Sequence, residues 1–471
     1  MSLAALELHD AGLLVVGEME LDSPLAPPSP GYALLDGDTL LTGAAAASRE
    51  RLRPRHVRNR FWSEPDGPPP GRPFPEEMTR GDLAHAHLSF LWKDIGAGID
   101  EVLLVVSGAH SGPQLGLILG IARAAEVPVS GLVDSATAAA VHPWPGERLL
   151  HLDLHLHRAV VTELVRAGDV VRRRVEVTEG DGLITIRSAL ARRIAGLFLR
   201  DTRFDPLHAA ETEQRLYDAL PYWLNRLRGE DGFDLRFDSA GSEHKIELTR
   251  ERLAGAVDNE YERIARSVGA VKPAGEPTTL LLAHAARAFP GLESRLAKIG
   301  NLRIVALPRS APAAGALLAC ESIRTTAEAL PFVIRLPLCE GYAPALRPPE
   351  EEPRAATAAD IPPELPTHLL LEGVAHAVTA VPFVLGTAIP AAARGVNLAS
   401  PASGISRSHC SFYRRENEVW IADHSTHGSF LNDARVEEKS PLAVGDRLRL
   451  GTPGVEILMI RVAKDDGPSQ S

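Results

Sequence analysis

A stretch rich in Pro, Glu and Ala, from Leu346 to Pro366, sets the first limit on how this chain can fold. Its prolines fix φ and offer no N–H to a helix or sheet, and its glutamates repel one another, so it reads as an extended connector. At 471 residues the chain is also long for one domain, since domains run to about 100 to 200 residues. The expected organisation is a large domain over 1–325, a strand and connector over 326–366, a smaller domain over 367–464 and a polar tail without order over 465–471.

Ahead of the connector, helical and strand periods alternate. Leu6 to Val16 reads as a β-hairpin, and Gly31 to Leu41 as two short strands about an Asp-Gly turn. A helix over Ala44 to Arg51 follows, then a stretch without period to Pro75. From Asp82 the pattern becomes regular: a helix to Ile95, the apolar strand Glu101 to Val106, a helix from Gln114 to Ala125 and a strand leading through Leu132. That alternation predicts a right-handed crossover in an α/β sheet. Leu149 to Leu164 reads as a strand pair, Ile184 to Leu199 and Glu211 to Leu227 as helices, and Phe233 to Ile246 as a hairpin, with Thr249 capping the next helix. Thr278 to Leu282 and Leu302 to Leu307 are strands, with a helix from Gly291 between them and an Ala-rich helix from Ala311 to Ser322 after them.

Charge and cysteine usage narrow the function classes. Lys and Arg number 50 against 61 Asp and Glu, a net charge of -11, so no basic excess attracts a nucleic acid or an anionic membrane. The three cysteines, Cys320, Cys339 and Cys410, are too scattered for a disulfide framework or a Cys-based zinc site, which fits a reducing compartment. Met1 to Glu18 has no secretory pattern, and the apolar reach Val102 to Ala122 is broken by His110, Ser111 and Gln114. A cytoplasmic protein without membrane insertion is expected.

Near the C-terminus stand three ordered blocks: Val384-Leu385-Gly386, Ser406-Arg407-Ser408-His409 and Asp423 to Asn432. Together they resemble the forkhead-associated (FHA) family of all-β sandwiches, which bind phosphothreonine. The resemblance implies that Ser406 contacts phosphate with Arg407 beside it, and that Thr426 and His427 meet the peptide. It implies that Gly386, Gly404, His409, Gly428 and Asn432 hold the fold. Two positions depart from the family: its Gly-Arg arginine is Thr387 here, and its Asn before Gly-Thr is His427. Arg394 or Arg407 is the expected replacement cation, because phosphothreonine carries nearly two charges and three acceptor oxygens.

The succession over residues 5 to 325 resembles the actin-like ATPase fold of DnaK-type chaperones, a duplicated ribonuclease-H-like α/β architecture. Val102 to Val141, Ser310 to Ala319 and the Leu-Thr-Arg start at Leu248 carry the likeness. That family cradles nucleotide phosphates on two glycine-rich hairpins, with an Asp on each arranging magnesium. Its Asp-x-Gly-Thr falls on Glu7-Leu8-His9-Asp10, and its Asp-Leu-Gly-Gly-Gly on Asp153-Leu154-His155-Leu156-His157. Its catalytic Glu falls on Ser135, and its adenosine-loop glycines on His284 and Ala285. Bulky side chains would fill the phosphates' place, so no ATP or magnesium is expected and the domain reads as a pseudo-ATPase.

Along 151–157, His151, Asp153, His155 and His157 alternate with leucines, which puts all four on one face at period two. A solvated polar face is the reading adopted, with no metal; a transition-metal site on His151, His155 and His157 is the alternative. Gly108-Ala109-His110-Ser111-Gly112 reads as a loop, and neither a Walker lysine nor a dinucleotide fingerprint is present. The expectation is a non-enzymatic adaptor whose FHA domain docks a protein partner, with phosphothreonine as the candidate mark. Its competitors are a DnaK-like ATPase with residual nucleotide binding and an actin-like assembly component.

Overall fold

Two capping boxes fix the helices of the first layer. In the computed structural model Thr79 and Asp82 cap the helix Arg80–Ile95 reciprocally, and Ser111 and Gln114 do the same for Gly112–Ala124. The described residues are 2–239, 242–325, 330–339, 366–371, 374–379, 382–389, 394–398, 405–415, 418–426, 428–431, 434–436, 438–442, 446–450 and 455–460. The connector from 340 to 365 and the tail from 461 lie outside them. The chain divides into two units, Met1–Ala355 and Ala356–Ser471.

The large unit holds two main sheets. In the first, Leu3–Leu8 (β1) pairs antiparallel with Leu14–Gly17 (β2) on one side and parallel with Glu101–Val106 (β3) on the other; Val129–Asp134 (β4) continues beyond β3. In the second, Arg148–Leu154 (β5) pairs antiparallel with Arg158–Ala167 (β6), which carries Asp169–Glu179 (β7) at its far edge. On the other side of β5, Thr278–Leu282 (β8) and Leu302–Ala306 (β9) run parallel to it. Each sheet thus has a central strand with a hairpin partner on one flank and two parallel strands, reached through helices, on the other.

Apolar faces at helical and strand periods close the cores. Leu83, Leu88, Ile118 and Ile121 pack on Leu6, Leu104 and Val106, while Ala313, Ala316 and Leu317 of Ala311–Leu318 cover the opposite face with Ala5, Leu103 and Val105. Under the second sheet, Ile194 and Phe198 of Leu183–Thr202 meet Leu216, Leu220 and Trp223 of Ala210–Gly229, along with Phe237 from the hairpin Gly232–Ser239/Ser242–Thr249.

The chain differs from its sequence reading at several places. β7 was unforeseen, because its run DVVRRRVEVTE keeps one half-solvated face and carries a polar excess. The helix expected over Ala44 to Arg51 is one turn, Ala44–Ala47. The large unit also extends past 325: Phe332–Val333 adds to β4 and Arg335–Pro337 adds to β7, so one segment edges both sheets.

The C-terminal unit is built of strands in two sheets. One runs Val374–Ala377, His368–Leu371, Val455–Ile460, Arg447–Leu450, Ser429–Leu431, Ala434–Arg435; the other Arg394–Asn397, Phe383–Gly386, Cys410–Arg415, Glu418–Asp423, Lys439–Leu442. Period two sends Phe383 and Leu385, Cys410 and Phe412, Val419 and Ile421, Leu448 and Leu450, and Ile457 and Met459 into a single core.

Candidate functional site

At one edge of the C-terminal unit, the loop 405–409 is pinned to the end of Phe383–Gly386. Thr387 N–H donates to the Ser406 carbonyl at 3.1 Å and Ala388 N–H to that of Arg407 at 3.0 Å. A Cβ at Gly386 would collide with the Arg407 carbonyl, so the approach demands glycine. His409 is fully buried beneath: its Nδ1 accepts from Ser406 N–H at 3.1 Å and its Nε2 faces the Gly428 carbonyl at 3.3 Å. Accepting at one nitrogen and donating at the other fixes a neutral ring that braces both loops.

The second loop folds around Asp423, which takes Ser425 N–H at 3.1 Å, the Ser429 hydroxyl at 2.9 Å and Ser429 N–H at 3.3 Å. Gly428 sits at φ +90°, a conformation that a side chain strains. Thr426 N–H donates to Ser406 Oγ at 3.2 Å, joining the two loops. That bond uses Ser406 Oγ as acceptor, and among the described residues nothing takes its own proton. Arg407 beside it is exposed, as is Thr426. The rim therefore carries a hydroxyl donor and, on the next residue, an exposed arginine, the donor types a phosphate dianion requires.

Arg394 does not join them. It pairs with Phe383, three residues and about 10 Å along the strand from Gly386, and its guanidinium holds Thr379 Oγ1 at 2.8 Å and the Ala377 carbonyl at 2.7 Å. The expectation that Arg394 replaces the missing arginine is thereby corrected: the parallel pairing sends it to the other end. Gly404, His427 and Asn432 lie outside the described residues.

Residues 384–451 match the family model of the FHA domain, so the C-terminal unit carries an FHA domain, a β-sandwich module. FHA domains bind phosphopeptide protein partners. No curated protein matches the chain. Among the described residues no helix is long and apolar enough to cross a membrane.

The large unit has its own polar centre, where the carboxyl ends of β1 and β5 meet. Such ends are where α/β sheets place ligands. Asp10 reaches across from the first hairpin and accepts Leu156 N–H at 3.0 Å and His155 Nδ1 at 3.2 Å. The His9 and His155 rings stack with centroids 4.3 Å apart, and His9 Nε2 lies 3.2 Å from Asp153 Oδ2. A cavity of about 70 Å³ beside them is lined by Glu7, His9, His151, Asp153, His284 and Arg309, among others.

Burial governs the protonation of this centre, and the neighbours decide its direction. Burial is the largest influence on Glu7 and His151: with Asp153 it pushes the Glu7 carboxyl up to about 8 against the pull of His9 and Arg309, and it pulls the His151 pKa down, so Glu7 keeps its proton at neutral pH and His151 stays neutral. Burial opposes ionisation of Asp153 and Asp10 as well, yet the histidines outweigh it and hold both carboxyls well below their usual range. For His9, burial opposes a charge but Asp153, by its charge and its hydrogen bond, and Asp10 raise its proton affinity. Ala11 N–H donates to His9 Nδ1 at 3.1 Å, and a doubly protonated ring cannot accept there. We therefore place a single proton on Nε2, facing Asp153.

The expected polar face of His151, Asp153, His155 and His157 breaks at its end. β5 stops at Leu154, and His157, in the turn, bonds Asn59 Oδ1 at 2.9 Å instead. The face is also buried rather than solvated. Ser135 opens the short helix Ser135–Ala139, capped by Asp134, and among the described residues no hydrogen bond ties it to the centre. His9 is the member that sequence reasoning missed. Its signal was an internal echo: Glu7-Leu8-His9 and Asp153-Leu154-His155 end two strands that are equivalent in their sheets.

Proposed function

We propose that this protein is a non-enzymatic adaptor that docks a phosphothreonine-bearing protein partner through its FHA domain. The observation that carries the reading is the rim of that domain, where among the described residues nothing takes the Ser406 hydroxyl proton and the exposed Arg407 follows it. With Thr387 in place of the family's arginine, Arg407 is the cation for the phosphate. A phosphothreonine peptide array probed with wild type and Arg407→Ala tests this. Phosphate-selective capture that drops with the variant is expected; equal capture by both would remove Arg407 from the site.

The large unit reads as an actin-type, duplicated ribonuclease-H-like scaffold without ATPase chemistry. The repeated connectivity of its two sheets supports the fold assignment. The direct bridge from Asp10 to Leu156 and the stacked His9 and His155 support the loss of chemistry, because the protein's own side chains fill the gap between the two hairpins. Residual nucleotide binding is the second reading, favoured by a cavity of about 760 Å³ lined by Arg228, Arg250, Arg287 and Tyr261, among others. Calorimetric titration with Mg-ATP separates the two: the adaptor reading expects no binding tighter than about 1 mM, and micromolar binding would overturn it.

A further inference from the structure

We propose that His9, Asp153 and His155 form a binding site for a late first-row divalent cation of the Zn²⁺ type. Their ligand atoms all lie within 4.8 Å of one another. Asp153 Oδ2 stands 3.2 Å from His9 Nε2 and 3.8 Å from His155 Nε2. Ligands about 2.0 to 2.1 Å from a tetrahedral ion are separated by about 3.3 Å, so the three donors close on a common centre once they draw together and the His9 and His155 rings, stacked at an interplanar angle of 13°, rotate apart to let their in-plane lone pairs converge.

Two further observations point to a ligand. Among the described residues the buried Nε2 of His155 has no hydrogen-bond partner, although buried polar atoms of this kind are nearly always satisfied, and the buried Nε2 of His9 has only the Asp153 carboxylate before it, at 3.2 Å. They are turned toward the same carboxylate oxygen. The outer contact of His155 is also the one a metal-bound imidazole makes: its Nδ1 is held by the Asp10 carboxylate at 3.2 Å, which orients the ring and leaves Nε2 as the donor. His9 needs one adjustment. Binding at Nε2 moves the ring proton to Nδ1, which exchanges the Ala11 amide for Asp10 Oδ1, 3.8 Å away.

Two imidazoles and a carboxylate suit zinc, copper or nickel rather than magnesium or calcium, which prefer all-oxygen shells. Three protein ligands leave the fourth position to water from the adjoining cavity of about 70 Å³. His151 is not among the ligands: it lies four residues from His155, about 13 Å along the chain. His157 is excluded by its bond to Asn59. The site does not depend on the reading of the FHA domain or on nucleotide binding.

The test uses the full chain stripped with a chelator, titrated with Zn²⁺ against a chromophoric competitor. One equivalent should bind with a Kd below about 1 µM at neutral pH. His9→Gln, His155→Gln and Asp153→Asn should each weaken it more than about 100-fold, and Asp10→Asn by about 10- to 100-fold. His157→Gln should leave it unchanged. Absence of an equivalent in the wild type, or retained affinity in His9→Gln and His155→Gln, would overturn the site and leave adventitious surface histidines or a plain His9–Asp153 ion pair. Circular dichroism of each stripped variant checks its fold. Should a variant not fold, the Co²⁺ form of the wild type decides: intense visible bands support a four-coordinate nitrogen and oxygen site, and pale octahedral bands refute it.

Discussion

Acid should loosen the large unit through one ring. His87 is fully buried in the helix Arg80–Ile95, where Trp62 Nε1–H donates to its Nδ1 at 3.0 Å and its Nε2 faces Ser29 Oγ at 2.8 Å. It is therefore a neutral ring with its proton on Nε2, and burial pulls its pKa down from 6.5 to about 4. A depressed pKa means that the unfolded chain takes up the proton first, so the stability linked to His87 is complete above about pH 6.5 and is lost as pH falls toward 4. At pH 4.5 the unfolded ring is about 99% protonated and the folded ring about one quarter, which amounts to about 2.5 kcal/mol. Asp10 and Asp153 also lose stability in acid, so the effect must be read as a difference. His87→Gln keeps a donor and an acceptor but cannot titrate. Urea unfolding of both proteins, followed by tryptophan emission, should show the variant's disadvantage shrinking by about 2.5 kcal/mol between pH 7.5 and 4.5. Parallel stability curves over that range would refute the reasoning.

Ser406→Ala should weaken phosphothreonine peptide binding by about 10- to 150-fold in fluorescence polarisation, the worth of one charged hydrogen bond at about 1.5 to 3 kcal/mol. Its melting temperature should barely move, because the Thr426 amide it abandons is exposed. Gly386→Ala drives a methyl into the Arg407 carbonyl, so the FHA domain should lose about 1 to 3 kcal/mol in a melting experiment and its peptide affinity with it. Phe198→Ala removes a fully buried ring that meets Phe237 at 5.7 Å and Phe204 at 6.1 Å; urea unfolding should register a loss of about 3 to 5 kcal/mol.

The FHA domain was legible because its motif blocks are short and keep their order along the chain, even though bonds from Thr387, Ala388 and Thr426 and the buried His409 tie those blocks to one another. The destination of Arg394 was not. Its loop position suggested the rim, but the parallel pairing of Arg394–Asn397 with Phe383–Gly386 carries it to the opposite end. The buried centre of the large unit divides in the same way. The alternation of His151 and Asp153 follows from the pleat of one strand and His155 stands just past its end at Leu154, whereas His157 lies in the turn and leaves that face, and His9 enters from a hairpin about 145 residues earlier.

By itself, then, the sequence determined what short-range physics controls. Capping residues started the helices at Arg80 and Gly112, Thr249 started the turn after the Gly232–Thr249 hairpin, and apolar runs set strands such as Glu101–Val106 within a residue. Tertiary structure decided what depends on partners far along the chain. It gave the polar strand Asp169–Glu179 its place at a sheet edge, split Phe332 to Pro337 between two sheets, and brought His9 against Asp153 and His155. The physical reason is that a period or a cap is set by near neighbours, while the pairing of sheet edges and the meeting of two hairpins are set by the packing of the whole core.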